Sequence, residues 1–178
     1  MYAFFYGKVD SIYKDRIIID VNNIGYEINM PESDILSLNI GDSIKIYTYL
    51  NVREDDMRLF GFKTNESLEF FKKLITVSGV GPRVALGIIS NVDVESLGVA
   101  IATENVAALK SVPGIGPKMA QKIIFELKDK VLKDKTEKIS VTLKQNNSKN
   151  IEEAITALEV LGYNQRQIKE VISRLDLS

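Results

Sequence analysis

The sequence contains no cysteine and no histidine. Without cysteine there is no disulfide framework, thiol nucleophile or zinc-thiolate site. Without histidine the chain lacks the commonest general base, the commonest transition-metal ligand and every Ser-His catalytic pair. Long apolar runs are missing too, since no segment reaches the ~18 continuous apolar residues of a membrane span. The opening Met1-Tyr-Ala-Phe-Phe-Tyr-Gly-Lys-Val9 is apolar, but it has no basic leader and turns polar at Asp10-Ser11. No signal peptide is therefore expected, and the chain reads as cytoplasmic. No Gly-x-x-x-x-Gly-Lys-Ser/Thr loop occurs, so the chain is not expected to hydrolyse ATP itself.

What is present is ordinary for a globular protein: 45% hydrophobic and 26% charged residues over 178 positions, enough for one medium domain or two small ones. The net charge of −1 hides an uneven distribution. Residues 1–62 carry 6 basic and 10 acidic side chains, residues 63–135 carry 11 and 8, and residues 136–178 carry 6 and 6. The basic excess falls on a stretch that occurs twice.

That stretch is Val77-Ser-Gly-Val-Gly-Pro-Arg-Val-Ala-Leu-Gly-Ile-Ile89 and, 35 residues on, Val112-Pro-Gly-Ile-Gly-Pro-Lys-Met-Ala-Gln-Lys-Ile-Ile124. A fixed period of this kind marks a duplicated supersecondary unit. Glycine permits positive φ and close approach of bare backbone, and proline is suited to the first helical position. Each copy thus predicts a tight Gly-x-Gly turn opening a helix. The free N–H groups and the positive end of the helix dipole would make an anion site, with Arg83 and Lys118 adding charge. Val80 and Ile115 read as apolar plugs beneath the turns. Ala85 and Ala120 allow close helix approach, and Ile88, Ile89, Ile123 and Ile124 face a shared core. A single copy would equally fit a helix stop and restart. The matched proline, cation and alanine in two copies resemble the helix-hairpin-helix motif, which in its families binds the DNA backbone through hairpin N–H groups without reading sequence.

The first 62 residues alternate like strands, at Phe4 to Val9, Arg16 to Val21, Tyr26 to Met30, Ser43 to Leu50 and Arg58 to Phe62. Asn22-Asn23 and Gly41-Asp42 read as hairpin turns, and a short helix near residues 31–38 is expected to be capped by Ser33 or Asp34. This layout fits an OB-like barrel. Between its last two strands lies Arg53-Glu54-Asp55-Asp56. This is either a solvated acidic hairpin tip, a carboxylate cluster for Mg²⁺, or a surface that repels phosphates.

Helical spacing begins at Asn65, with Leu68, Phe71, Leu74 and Ile75 as its apolar stripe. Further helices are expected at about 82–90, 94–102, 106–111 and 117–133, with caps at Asp93 and within Thr103-Glu-Asn105. The expected architecture is multidomain α+β: an OB-like barrel over 1–63, an all-α tandem helix-hairpin-helix domain over 64–135, a polar linker over 136–149, and a small C-terminal helical, UBA-like segment over 150–178. In that last segment Leu158 and Leu161 line one helix face, and Ile168, Val171 and Leu175 the next, with Gly162-Tyr163 between them.

The order of parts is similar over essentially the whole chain to the RuvA family, the junction-binding subunits of the bacterial branch-migration complex. The matching residues are Gly25-Tyr-Glu27 and Pro31, Arg53-Glu-Asp55, Leu59-Phe-Gly-Phe62, both glycine hairpins and Leu161-Gly-Tyr163. The resemblance implies a non-catalytic protein that holds a four-way (Holliday) DNA junction open and planar in recombination and repair. It implies a homotetramer, or two tetramers sandwiching the junction, working with the RuvB ATPase motor and the RuvC resolvase. DNA would be held by Ser78, Gly79, Val80, Gly81 and Arg83, and by Pro113, Gly114, Ile115, Gly116, Lys118 and Lys122. Glu54 and Asp55 would form an acidic pin at the crossover, with Asp56 as a third acid. Leu158, Leu161, Tyr163, Ile168, Val171 and Leu175 would bind the motor, in a segment expected to stop short of the family's third helix. No cofactor or metal is implied. The competing readings are a helix-hairpin-helix glycosylase or nuclease using Lys118 or the Glu54–Asp56 cluster, and a protein-interaction scaffold.

Overall fold

The computed structural model describes residues 1–133. The chain divides into two compact units, Met1–Val131 and Leu132–Ser178. The 136–149 linker, the C-terminal segment and its six motor-binding candidates lie outside the described residues.

Five strands form a closed barrel: β1 (Phe4–Ile12), β2 (Arg16–Val21), β3 (Ile24–Asn29), β4 (Ser43–Val52) and β5 (Met57–Phe62), in the order β1-β2-β3-β5-β4 with β4 pairing back on β1. Every pairing is antiparallel except β3 with β5, where Ile28 lies opposite Leu59 and Asn29 opposite Phe60. The Asn29 side-chain amide adds a 3.0 Å bond to the Leu59 carbonyl at this short parallel seam. Alternate residues point inward because side chains alternate along a strand. Phe5, Val9, Ile17, Ile19, Ile28 and Ile46 accordingly fill the barrel. At Asn22 and Asn23 φ is 54° and 66°, the left-handed pair that a two-residue hairpin turn demands.

Two local expectations are corrected. Gly41-Asp42 is not a hairpin turn, since the strand it leads into, β4, pairs with β1 and not with the preceding β3. The turn instead closes on β1, where the Gly41 N–H donates to the Val9 carbonyl at 2.7 Å. The short helix, α1 (Glu32–Ile35), starts after Pro31 and has no side-chain cap, so Ser33 and Asp34 lie inside it. Asp34 accepts instead from the Lys63 N–H at 3.3 Å, and the Ser90 hydroxyl receives the Glu32 N–H at 3.2 Å, tying α1 to the helical part of the chain.

The helices are α2 (Asn65–Leu74), α3 (Pro82–Asn91), α4 (Val94–Ala102), α5 (Val106–Lys110) and α6 (117–133). The expected stripe of α2 is buried at Leu68, Phe71 and Leu74, with Ile75 only half-buried. Barrel and helices share a core, because Phe60 and Phe62 of β5 pack on Phe71 of α2 at ring separations of 5.4 and 4.9 Å. These aromatic contacts join β5 to α2 and set the first glycine hairpin beside the barrel. Among the described residues no single helix is long and apolar enough to cross a membrane.

Candidate nucleic-acid interface

The two glycine turns are built by the same hydrogen bonds. In the first, Val77 N–H donates to Leu74 O at 3.0 Å, Val80 N–H to Val77 O at 2.9 Å, and Ala85 N–H to Gly81 O at 3.0 Å. In the second, Val112 N–H donates to Leu109 O at 3.2 Å, Ile115 N–H to Val112 O at 3.1 Å, and Ala120 N–H to Gly116 O at 3.0 Å. The duplication seen in the sequence is therefore a duplication of backbone geometry.

Within each turn the two glycines have different reasons to be glycine. Gly79 and Gly114 sit at φ 92° and 86°, a region that strains any residue with a Cβ. Gly81 has an ordinary φ of −81°, and a Cβ added at Gly81 or Gly116 would meet nothing within 4 Å. The expectation that the glycines serve positive φ thus holds for the first of each pair. At the second, folding leaves room for a side chain, and the bare backbone faces open space.

Helix capping separates these turns from the other helix starts that follow the barrel. α2, α4 and α5 are each capped by a side chain: Thr64 accepts from Ser67 N–H, Asp93 from Ser96 N–H and Asn105 from Ala108 N–H. α3 begins at Gly81 and Pro82 with no side-chain cap and no acid in its first turn. The second copy likewise starts at Gly116 and Pro117, and glycine has no side chain with which to cap. The N–H groups of Gly79, Gly81 and Arg83, and of Gly114, Gly116 and Lys118, donate to no protein acceptor among the described residues. Unpaired N–H groups at the positive end of a helix dipole attract an anion. Each hairpin can therefore receive a phosphate oxygen.

The predicted residues divide by exposure. Ser78, Gly79, Arg83, Pro113, Gly114, Gly116 and Lys118 are exposed, and Gly81 is half-buried. Val80 and Ile115 differ: both side chains are buried and both N–H groups are spent inside the turn, so these residues hold the hairpins and offer neither side chain nor N–H to a ligand. Lys122 lies 3.9 Å from Glu126 on its own helix, which occupies part of its charge. One cation near the first hairpin escaped the sequence reading. Lys130, far along α6, donates to the Thr76 hydroxyl at 3.1 Å. Only the tertiary packing of α6 brings it there.

The acidic hairpin joins β4 to β5, closed by a 2.8 Å bond from Arg53 N–H to Asp56 O. Glu54 and Asp55 are exposed at its tip. Asp56 turns back and is ion-paired with the Nε of Arg58. Among the described residues no three acidic side chains are grouped to hold a metal ion. A groove of about 340 Å³ runs from this hairpin to the start of α3, lined by Asn51, Arg53, Asp56, Arg58, Phe60 and the Gly81–Val84 turn. Asp56 is the last residue of the hairpin and Arg58 the second of β5, so the only trace of this pair in the sequence is an acid and a base two residues apart.

A closed barrel bearing an acidic hairpin, sharing a core with helices that carry two uncapped glycine hairpins, defines an OB-like barrel with a tandem helix-hairpin-helix domain. The family models agree: RuvA N terminal domain matches residues 1–61, and SAM-like helix-hairpin-helix tandem matches residues 71–129. Among curated proteins, a relative from Lachnospira eligens is 42% identical over 96% of this chain and 89% of its own length. Another from Alkaliphilus oremlandii is 41% identical over 97% and 88%, and one from Clostridium botulinum 40% identical over 99% and 91%. All three are named Holliday junction branch migration complex subunit RuvA. The chain belongs to the RuvA family.

Proposed function

We propose that this chain binds four-way DNA junctions through their backbones and holds them open for branch migration driven by a partner ATPase, in recombination and repair. One observation carries the reading: two hairpins of the same geometry each leave N–H groups, an uncapped helix start and an exposed cation facing open space. Phosphate is the ligand that this chemistry fits, and backbone binding without base contacts suits a structure-specific protein. The protein is non-catalytic, cytoplasmic, and active as a homotetramer, alone or as two tetramers enclosing the junction. RuvB supplies ATP hydrolysis, and RuvC cuts the same junction. The barrel spans 1–63, the hairpin domain 64–135, the linker 136–149 and the motor-binding segment 150–178.

Fourfold symmetry assigns one pair of hairpins to each arm and brings four acidic tips to the centre. Glu54 and Asp55 there repel phosphates and keep the crossover open. Neutralising both is expected to leave junction affinity unchanged or higher while changing junction geometry by fluorescence energy transfer between arms; a large loss of affinity refutes the pin.

The deciding experiment compares binding to a synthetic four-way junction and to linear duplex of equal length across a salt series. Junction preference that survives moderate salt is expected. Equal, steeply salt-dependent binding would reduce the protein to a general backbone binder, and no binding would favour a protein scaffold. Cleavage of DNA by the protein alone, abolished by Lys118→Ala, would overturn the non-catalytic reading.

A further inference from the structure

Asp56 and Arg58 have no part in the hairpins, yet with Arg53 and Arg83 they line the groove between the acidic hairpin and α3. The groove brings together the positive charges of Arg53, Arg58 and Arg83 against the single carboxylate of Asp56. Arg53 and Arg83 are exposed and make no ion pair among the described residues. Arg58 is about one-third exposed, and its Nε is held by Asp56. Guanidinium is a planar fork of five donors. A carboxylate on the Nε edge leaves the terminal amino groups, which have no protein partner among the described residues, and restricts the side chain's freedom to turn away.

We infer that this groove is an additional phosphate-binding site, in which Arg58, positioned by Asp56, holds the DNA backbone between the first hairpin and the acidic tip. The inference rests on the junction-binding reading above. Asp56 then acts on Arg58 and takes no part in the repelling tip, so the pin consists of Glu54 and Asp55. A strand reaches the groove only where it leaves the hairpin and runs toward the crossover, so the site contributes on junctions and little on linear duplex. The volume of about 340 Å³ has room for a phosphodiester with its flanking sugars.

The test uses the full chain with a four-way junction and a linear duplex over a salt series. Arg58→Gln is expected to lower junction affinity about tenfold, to flatten the salt slope by about one per bound subunit, and to leave duplex binding and thermal midpoint unchanged. Asp56→Asn keeps an oxygen for Arg58 Nε while removing the charge, so affinity is expected to hold or rise; Asp56→Ala removes the anchor and is expected to lower it severalfold. Unchanged affinity and slope in Arg58→Gln would overturn the groove, and tighter binding by Asp56→Ala as well as Asp56→Asn would return Asp56 to the pin. A wild-type protein without junction preference refutes the junction reading instead, and the Arg58→Gln salt slope still reports whether the groove holds a phosphate.

Discussion

The first and second glycine hairpins share one pattern of hydrogen bonds, but they stand in different surroundings. The first is backed by the barrel: Gly81, Pro82 and Arg83 line a groove whose far wall is Arg53, Asp56 and Arg58, and Met119 Cε lies 3.3 Å from where a Cβ of Gly79 would be. In the second, Gly114 and Gly116 have nothing within 4 Å of an added Cβ, and Gly116 and Pro117 are exposed. Duplication thus supplied two hairpins of equal geometry, the proposed grips on a backbone, and the barrel altered the setting of one. A pair of free-standing hairpins would hold any duplex. On the proposed reading, a hairpin with an acidic tip and a cationic groove beside it would also constrain where the strand goes next.

The sharpest way to break the equivalence of the two grips is to remove their plugs. Ile115→Ala is expected to cost about 2–5 kcal/mol of stability, the usual range for emptying a buried aliphatic site, and Val80→Ala somewhat less because fewer atoms are lost. Denaturant melts would measure both. Neither should affect DNA affinity at a temperature where the variant is folded, because neither residue offers a side chain or N–H to the ligand.

The converse substitution spares the fold and strikes the ligand. A Cβ at Gly81 or Gly116 meets nothing within 4 Å, so serine at both should leave the thermal midpoint unchanged or, by capping the helix starts, slightly raised. The new side chains stand where backbone must approach phosphate. Hydrogen bonds to a charged partner contribute about 1.5–3 kcal/mol each, so losing one from each of the two hairpins, about 3–6 kcal/mol together, should lower junction affinity by at least about a hundredfold. Equal loss of stability and affinity would mean these glycines are structural.

Single cations sharpen the comparison further. Arg83→Ala and Lys118→Ala each remove one proposed phosphate contact and should weaken duplex binding alike, up to about tenfold, with the salt slope reduced by about one per bound subunit. On a four-way junction Arg83→Ala should cost more, because Arg83 also lines the groove beside the acidic hairpin. Identical losses on both substrates would mean that the barrel adds nothing to the first hairpin.

Much of this was legible in the chain because its determinants are local. The Gly-x-Gly-Pro pairs, the alternation of Arg16–Val21, and the caps at Asp93 and Asn105 are short-range patterns, and each was found where expected. What escaped was set by tertiary packing. α1 lost its expected cap because Asp34 reaches Lys63 and the Glu32 N–H reaches Ser90, 29 and 58 residues away. Lys130 joins the first hairpin only through the course of α6. Arg58 looked like one more strand residue, because nothing local said that β5 would face the start of α3. The distinction between Gly79 and Gly81 was equally invisible, since two glycines in one turn look alike until φ and the surrounding space are known.

The smallest effect separates two acids, one in each half of the molecule. Asp93, the cap of α4, is held below the ordinary carboxylate value by hydrogen bonds from the Ser96 side chain and backbone. Its ionised form therefore favours the fold; that contribution is present above the unfolded value and fades as pH falls through the folded one. Asp34, in α1 under the barrel, is raised, chiefly because burial disfavours its charge, only partly offset by Lys63. The folded state then binds the proton more tightly than the unfolded chain, so the Asp34 contribution grows as pH falls through its raised value. Thermal midpoints of wild type, Asp93→Asn and Asp34→Asn measured from neutral pH into the acid range should show this directly. The advantage of wild type over Asp93→Asn should shrink toward low pH, while its difference from Asp34→Asn should move in wild type's favour. Parallel curves for the two variants would mean that the cap and the barrel acid see the same environment, which the opposite causes of their shifts argue against.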